Sequence, residues 1–484
     1  MDYAGIFLER ADQLKYQLYS LLARPYVTNM TITDLAGLMQ AKYQPTYNVF
    51  QELLGDLVAI TGKRRDVVRK QMLVAAPLPL SLDAYRSYLV QQSLVYRLID
   101  YAVTAAAPSP NQFCEREFIS RSTISRKLKP VNNLMAHFGV KLKLAKLAFS
   151  GSEMNIRYFL YTVYWWAHRG SFWPFENVTR STLHEECNQI GIMNERPMTQ
   201  WQMQYFLAIS HLRVGKNHAI VDNPYLDALD QKVVTLHLRA GQPRPPFTRT
   251  DTAFYNFFQI SQPRFDMRSR LPEAPAQEIA VLTNPASATV VDALCNALYQ
   301  SASGDIGTDL YLNMLRLVFG YLICGGDFPQ AQDVIGGGVD ESAPNVVEKV
   351  QAVVQTLPTD AAFDVFRQNC DPFAIEIARL ATPYVRRCTR NARVFVKLDV
   401  DPAIEGYQAL TGFLNCVPWV ARVSEVQSDE ECDVVIGADD SPAKNLPADF
   451  TWYANALDLA TYRESLIQKL VTIRKEKQAL AALE

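Results

Sequence analysis

The chain has 484 residues, 49 % hydrophobic and 20 % charged, with a formal net charge of −2. That length exceeds what one core holds, so about three to five domains are expected. The near-neutral balance excludes a basic coat over the whole surface, and any nucleic-acid surface has to be local.

The eight cysteines are scattered, with no CxxC or Cys/His cluster, which argues against a zinc finger and against a compact disulfide scaffold. "MDYAGIFLERADQ" at the N-terminus is acidic early and has no long apolar core, so no signal peptide is expected. The most apolar helical runs, "YFLYTVYWWA" and "LRLVFGYLI", are about half the length of a membrane span. A cytoplasmic protein with no membrane partner is expected.

In chain order, residues 7–24 form a helical pattern with Phe7, Leu14, Leu18, Leu21 and Leu22 near one face and Pro25 beyond it. Two short amphipathic segments follow, broken at "AKYQP". Thr33 is expected to cap the first, and Pro45 to sit in the first turn of the second. "TGKRRDVVRKQMLV" is basic and turn-like, and "AAPLPL" is a spacer, closing a first unit over residues 1–77.

A second unit repeats the plan with a helix over 81–103, a linker, the short helix "FCEREF" and then "ISRSTISRKLKPVNNLMAHFGVKLKLAKLAFSG". Ile124, Leu128, Val131, Leu134 or Met135, and Phe138 recur at helical spacing as one buried face, with Gly139 as the stop. Pro130 removes one backbone hydrogen bond at a cost of ~3 kcal/mol. Because the apolar period runs through it, a kink near Arg126–Pro130 is expected rather than a helix end. "VKLKLAKLAFSG" alternates like a small β-hairpin. Helix, short helix, basic helix and hairpin in that order describe a winged helix-turn-helix.

Between Cys114 and Lys146 there are eight bases (Arg116, Arg121, Arg126, Lys127, Lys129, Lys141, Lys143 and Lys146) against two acids. Ser122, Ser125, Arg126 and Lys129 lie away from the apolar face. Such bases neutralise phosphates and release counterions, while Ser and Arg at a helix start reach base edges. Arg126 is the expected base reader, and Arg121, Lys127 and Lys129 the phosphate contacts. Thr123, Lys141 and Lys143 complete the expected DNA-binding set. In the first unit "KRRDVVRK" is basic, whereas its expected recognition helix "YQPTYNVFQELLGD" is neutral to acidic.

From 153 to about 388 the pattern is helical almost throughout. After Arg393 the β-branched runs "ARVFVKLDV", "VARVSEV" and "CDVVIGA" alternate with helical stretches, which predicts a small α/β domain with a parallel sheet. Its last helix, 457–482, carries an apolar side of Leu459, Tyr462, Leu466, Leu470 and Ile473. The sheet is expected to cover only part of that helix, leaving the rest for a two-fold contact.

"EFISRSTISRKLKPVNNLMAHFGVKL…LAFSGSEMNIRYFLYTVYW" resembles the second DNA-binding region of the Mga/AtxA family of transcription regulators. The match includes the RKLKP core, the FG turn and the SGSE…IRYF run, and it is strong over 115–168 and looser elsewhere. The resemblance implies a multidomain, mainly α protein. Two N-terminal winged helix-turn-helix domains (1–77 and 78–169) would precede two all-helical PTS-regulation-like domains (170–285 and 286–388). A C-terminal α/β enzyme IIB-like domain with a parallel sheet (389–484) would close the chain. It also implies double-stranded DNA as partner, a homodimer, and phosphorylation of regulation-domain histidines by the sugar phosphotransferase system through the phosphocarrier HPr.

The six histidines are His137, His168, His184, His211, His218 and His237. His218, in the basic turn "RVGKNHAI", is the leading phosphorylation site and His211 the next; His137 and His168 are expected to be structural. A phosphoryl group on His218 would add negative charge beside Arg213 and Lys216. The segment 286–388 has no histidine. "KLDVDPAIEGYQ", the loop where an enzyme IIB carries its phosphoryl cysteine, has Asp399 and Asp401 but neither Cys nor His. Cys416 and Cys432 lie away from that position.

No enzyme is expected, and no cofactor. "IGGGV" lacks the GK[ST] of a phosphate loop, and His184 with Cys187 in "HEEC" is too few ligands for a metal. The alternatives are a phosphotransferase-system signalling scaffold whose basic patch binds an acidic protein, and an antiterminator-like regulator that binds RNA.

Overall fold

The computed structural model describes residues 3–23, 29–74, 78–189, 197–221, 223–235, 247–261, 279–299, 308–326, 344–385, 394–399, 405–415, 417, 419–422, 432–437, 449–451 and 459–481. They fall into two compact units, one drawn from Met1–Ala288, Leu312–Gly338 and Pro358–Phe373, the other from Thr289–Tyr311, Val339–Leu357 and Ala374–Glu484. Helices dominate both.

The first unit opens with α1 (Tyr3–Phe7) and α2 (Arg10–Leu22), which bury Phe7, Leu18, Leu21 and Leu22 as their spacing predicts. For α3 (Ile32–Leu38) the cap is Thr31, not Thr33. The Thr31 hydroxyl accepts from the Asp34 N–H, and the Asp34 carboxylate accepts from the Thr31 N–H. That reciprocal box satisfies two helix-end donors, which exposed Thr33 inside the first turn does not do. α4 (Tyr43–Thr61) has Pro45 in its first turn, buries Phe50, Leu53, Leu54 and Leu57, and ends at Gly62 with φ +64°.

The basic run expected as a turn is instead α5 (Arg65–Leu73), because Val68 and Met72, four residues apart, both find core to enter. No strand occurs among the described residues of segment 1–77, so its described part carries no wing.

α6 (Leu82–Gln92), α7 (Leu94–Thr104), α8 (Pro110–Arg116) and α9 (Arg121–His137) follow. α9 buries Ile124, Leu128, Val131, Leu134 and Met135, the predicted face, and runs unbroken through Pro130. Arg126 and Pro130 are both exposed, so the Arg126 carbonyl that loses its donor is open to water. The helix stops where Gly139 takes φ +63° and the Val140 N–H returns to the Met135 carbonyl at 2.9 Å. The hairpin then forms as β1 (Lys141–Lys143) and β2 (Ala148–Ser150), paired antiparallel with Leu142 opposite Phe149.

α10 (Glu153–His168) is the centre of this unit, buried on all sides. Its "YFLYTVYWWA" run is apolar right round because it is buried on every side. No helix among the described residues is long and apolar enough to cross a membrane. After it come α11 (Arg180–Gln189), α12 (Pro197–Val214), α13 (Pro224–Thr235) and α14 (Arg249–Ser261); α10 packs on α6 and α12, α11 and α14 on α12, and α13 on α14. Tyr161 meets Phe258 edge-on at 4.6 Å, and Phe206 stacks on Phe258 at 4.0 Å.

Further helices are α15 (Pro285–Tyr299), α16 (Thr308–Cys324), α17 (Pro344–Thr356), α18 (Asp364–Gln368) and α19 (Cys370–Val385).

The C-terminal segment forms the predicted parallel sheet. Its elements are β3 (Val394–Asp399), α20 (Glu405–Asn415), β4 (Val420–Arg422), β5 (Val434–Gly437), β6 (Asp449–Thr451) and α21 (Leu459–Ala481). All described pairs are parallel, in the order β4-β3-β5-β6. The short strand β6, "DFT", lies in a stretch the sequence reading left unassigned.

Leu466 and Leu470 of α21 are fully buried against Val394, Val396, Val434 and Ile436, and Ile473 packs on the same cluster. Lys477 reaches the Asp433 carboxylate at 2.7 Å, which also accepts from the Phe395 N–H. The described part of the apolar side of α21 thus packs on its own sheet. Exposed instead are Glu464, Gln468, Lys469, Thr472, Lys475 and Glu476. The side chains of Leu459 and Tyr462, the loop 400–404 with Asp401, and Cys416 lie outside the described residues.

Candidate nucleic-acid interface

The site is built on α8, the turn after it, α9 and the β1–β2 hairpin. Ser120 caps α9 by accepting from the Thr123 N–H at 3.2 Å. The buried face of α9 forces the opposite stripe into solvent, and Ser122, Ser125, Arg126 and Lys129 occupy it at three- and four-residue spacing, all exposed. Arg126 and Lys129 make no ion pair or hydrogen bond with any described residue, so both charges are available to a partner. Alternation in β1 sends Leu142 inward and leaves Lys141 and Lys143 exposed, and Lys146 is exposed at the hairpin tip.

Other members of the expected set are partly engaged. Arg121 is exposed, and its Nε donates to Asn111 Oδ1 at 3.0 Å. The Ser122 and Thr123 hydroxyls lie 2.7 and 2.9 Å from the Ser120 hydroxyl. Lys127 departs most, because its ammonium pairs with Glu9, far away in sequence. Arg116 lies over the Tyr101 ring and pairs with Glu117, which Arg97 also holds at 2.9 Å. Glu117 is therefore neutralised locally, while Glu115 is exposed.

A second set of exposed bases, Lys63, Arg64, Arg65, Arg69 and Lys70, lies on and before α5. Arg64 pairs with Asp66 at 2.9 Å and Arg65 donates to Gln51 at 2.6 Å. The charge of the first unit sits on this helix, and not on α4, which sequence reasoning took for its recognition helix.

The hairpin is anchored from behind by buried charge. Glu153, the first residue of α10, accepts from Arg213 through both oxygens at 2.9 and 2.7 Å and from Arg157 Nε at 3.1 Å. Arg157, itself 1 % exposed, also reaches Asp251 at 2.7 Å and donates to the His218 carbonyl at 2.9 Å. The Arg213 guanidinium lies 6.0 Å from the Phe149 ring of β2. Lys216 donates to the Ala105 carbonyl just past α7 at 2.6 Å. Thus the turn that carries His218 is bound to the helix-turn-helix region on two sides, a link no local pattern announces.

His218 is exposed, and partial burial together with the nearby Arg213 holds its imidazole below the usual pKa. His211 is half-buried, with Nε2 2.9 Å from the Glu186 carboxylate and its ring against Phe247. It borders a cavity of about 450 Å³ that Thr104, Thr179, Thr182 and Lys216 also line. His168 lies in the core, held by the Ser87 and Tyr96 hydroxyls at 2.7 and 2.6 Å, and burial pushes its pKa down to about 3. Its ring is neutral and structural. His137 is exposed at the end of α9, and His184 is exposed on α11. Cys187 is buried, and burial pushes its thiol up to about 12. His237 lies outside the described residues.

Residues 79–164 match a family model described as the Mga helix-turn-helix domain. The chain is also similar to the capsule synthesis positive regulator AcpB of Bacillus anthracis, 24 % identical over 127 residues, which is 25 % of this chain and 26 % of that protein. The matched stretch therefore spans about a quarter of that relative's length.

Proposed function

We propose that this Mga-like chain, with its Mga helix-turn-helix domain at residues 79–164, is a transcription regulator that binds double-stranded DNA. The observation that carries the reading is the unpaired basic stripe of α9 beside the lysine-bearing hairpin, inside the matched domain. α9 enters the major groove with Arg126 toward base edges, while Arg121, Lys129, Lys141, Lys143 and Lys146 meet phosphates. The α5 bases add backbone contacts from the first unit. Duplex binding should weaken steeply with salt, log K falling against log salt with a slope of about −4 to −5 for the five phosphates those side chains neutralise. A slope near zero, or equal competition by heparin and by target duplex, would assign the patch to an acidic protein partner. Stronger binding to RNA would assign it to antitermination.

Regulation belongs to the same proposal. A phosphoryl group on His218 would place negative charge beside Arg213, which already holds Glu153, and would compete for that guanidinium. Charge on this turn is thereby transmitted to the base of the hairpin. Incubation with phosphoenolpyruvate, enzyme I and HPr is expected to label the chain, and His218→Ala is expected to remove most of the label. Full labelling of that variant would transfer the role to His211, and no labelling of the parent would end the phosphorylation reading. The order β4-β3-β5-β6 supports an enzyme IIB-like C-terminal domain. Asp399 stands at the end of β3, where a carrier would need a cysteine nearby. A homodimer suits the two half-sites that helix-turn-helix proteins read.

A further inference from the structure

The turn between α8 and α9 has the hydrogen bonds of a Schellman motif: the Phe118 N–H donates to the Glu115 carbonyl at 3.3 Å and the Ile119 N–H to the Cys114 carbonyl at 3.0 Å. Its left-handed position, where glycine is usual, is held by Phe118 with φ +54°. The Phe118 side chain is 95 % exposed. Folding gains nothing from the ring and bears the strain of an L side chain in that backbone region, so glycine or asparagine would serve the turn better. Something outside the folded chain has to repay it.

We infer that Phe118 is a DNA-contacting residue, packing its ring against the deoxyribose and thymine-methyl surface at the edge of the groove that α9 enters. The inference rests on the DNA-binding reading above. Phe118 stands two residues before the cap Ser120 and three before Arg121, at the end of α9 that leads into the groove. Its surroundings are mixed but lean basic: Arg121 and Arg116 are exposed, Glu117 is held by Arg97 and Arg116, and Glu115 is exposed. An apolar ring among such charges meets a duplex through the methyl and sugar surfaces between phosphates. It adds sequence preference without adding charge.

The test uses the full chain and a duplex selected from random sequence by the wild-type protein. Phe118→Gly and Phe118→Asn, both suited to the left-handed turn, are expected to bind that duplex about tenfold more weakly, the scale of a buried aromatic contact. The salt slope should stay parental, since no phosphate contact is lost. Phe118→Gly should unfold at or above the parental midpoint, which separates the contact from a structural role. Parental affinity in both variants overturns the inference, including the case where only transcription activation falls and the ring serves a protein partner. A wild-type chain that selects no duplex overturns the DNA reading itself, and this inference with it.

Discussion

Replacing Arg126 and Lys129 together with alanine is expected to abolish sequence-specific DNA binding and leave the fold intact. Both side chains are exposed, neither pairs with a described residue, and the buried face of α9 runs through Ile124, Leu128 and Val131 instead. Loss of one base-reading guanidinium and one phosphate contact should cost about 2–4 kcal/mol of binding free energy and flatten the salt slope by about 1–2. Alanine is a good helix former, so the thermal midpoint should hold or rise slightly. Affinity equal to the parent at near-physiological salt would show that α9 is not the recognition helix. The α5 bases would then be the next set to remove.

The largest effect on stability is expected from Glu153→Ala. Arg213 donates two guanidinium hydrogen bonds to this one carboxylate, and it is only 4 % exposed. Arg157 would keep Asp251, but Arg213 would be left as a desolvated, unpaired charge, a change that costs about 3–5 kcal/mol. Glu153→Gln keeps an acceptor oxygen and should lose less. The variants are compared by denaturant unfolding followed through the aromatic core around Trp165, which lies on α10 in the same unit. An unchanged midpoint for Glu153→Ala would mean that water reaches Arg213, and that the network does not join the His218 turn to the hairpin.

Much of the helix-turn-helix region is legible from local pattern. Apolar spacing picked out the buried face of α9, alternation picked out β1 and β2, and Gly139 marked the stop between them. The parallel sheet followed from β-branched runs alternating with helical ones. These features depend on residues within a few positions of one another, where backbone sterics, caps and periodic burial act. The same reasoning missed α5 because two buried positions, Val68 and Met72, are too few to outweigh a basic composition until a core is there to receive them.

Other features were settled by residues remote in the chain. Lys127 looks unpartnered in its own helix, yet Glu9, far away in sequence, pairs with it. Glu153 and Arg157 look like an ordinary pair one turn apart, until Arg213 and Asp251 close around them and exclude water. His168 is structural as expected, but the hydroxyls that hold it, Ser87 and Tyr96, come from helices far back in the chain. The apolar stripe of α21 that includes Leu466 and Leu470 is covered by β3 and β5, strands far back in the chain. In each case the free energy of a charge or an apolar face depends on what desolvates it and what pairs with it. Those partners are brought together only when helices far apart in sequence pack.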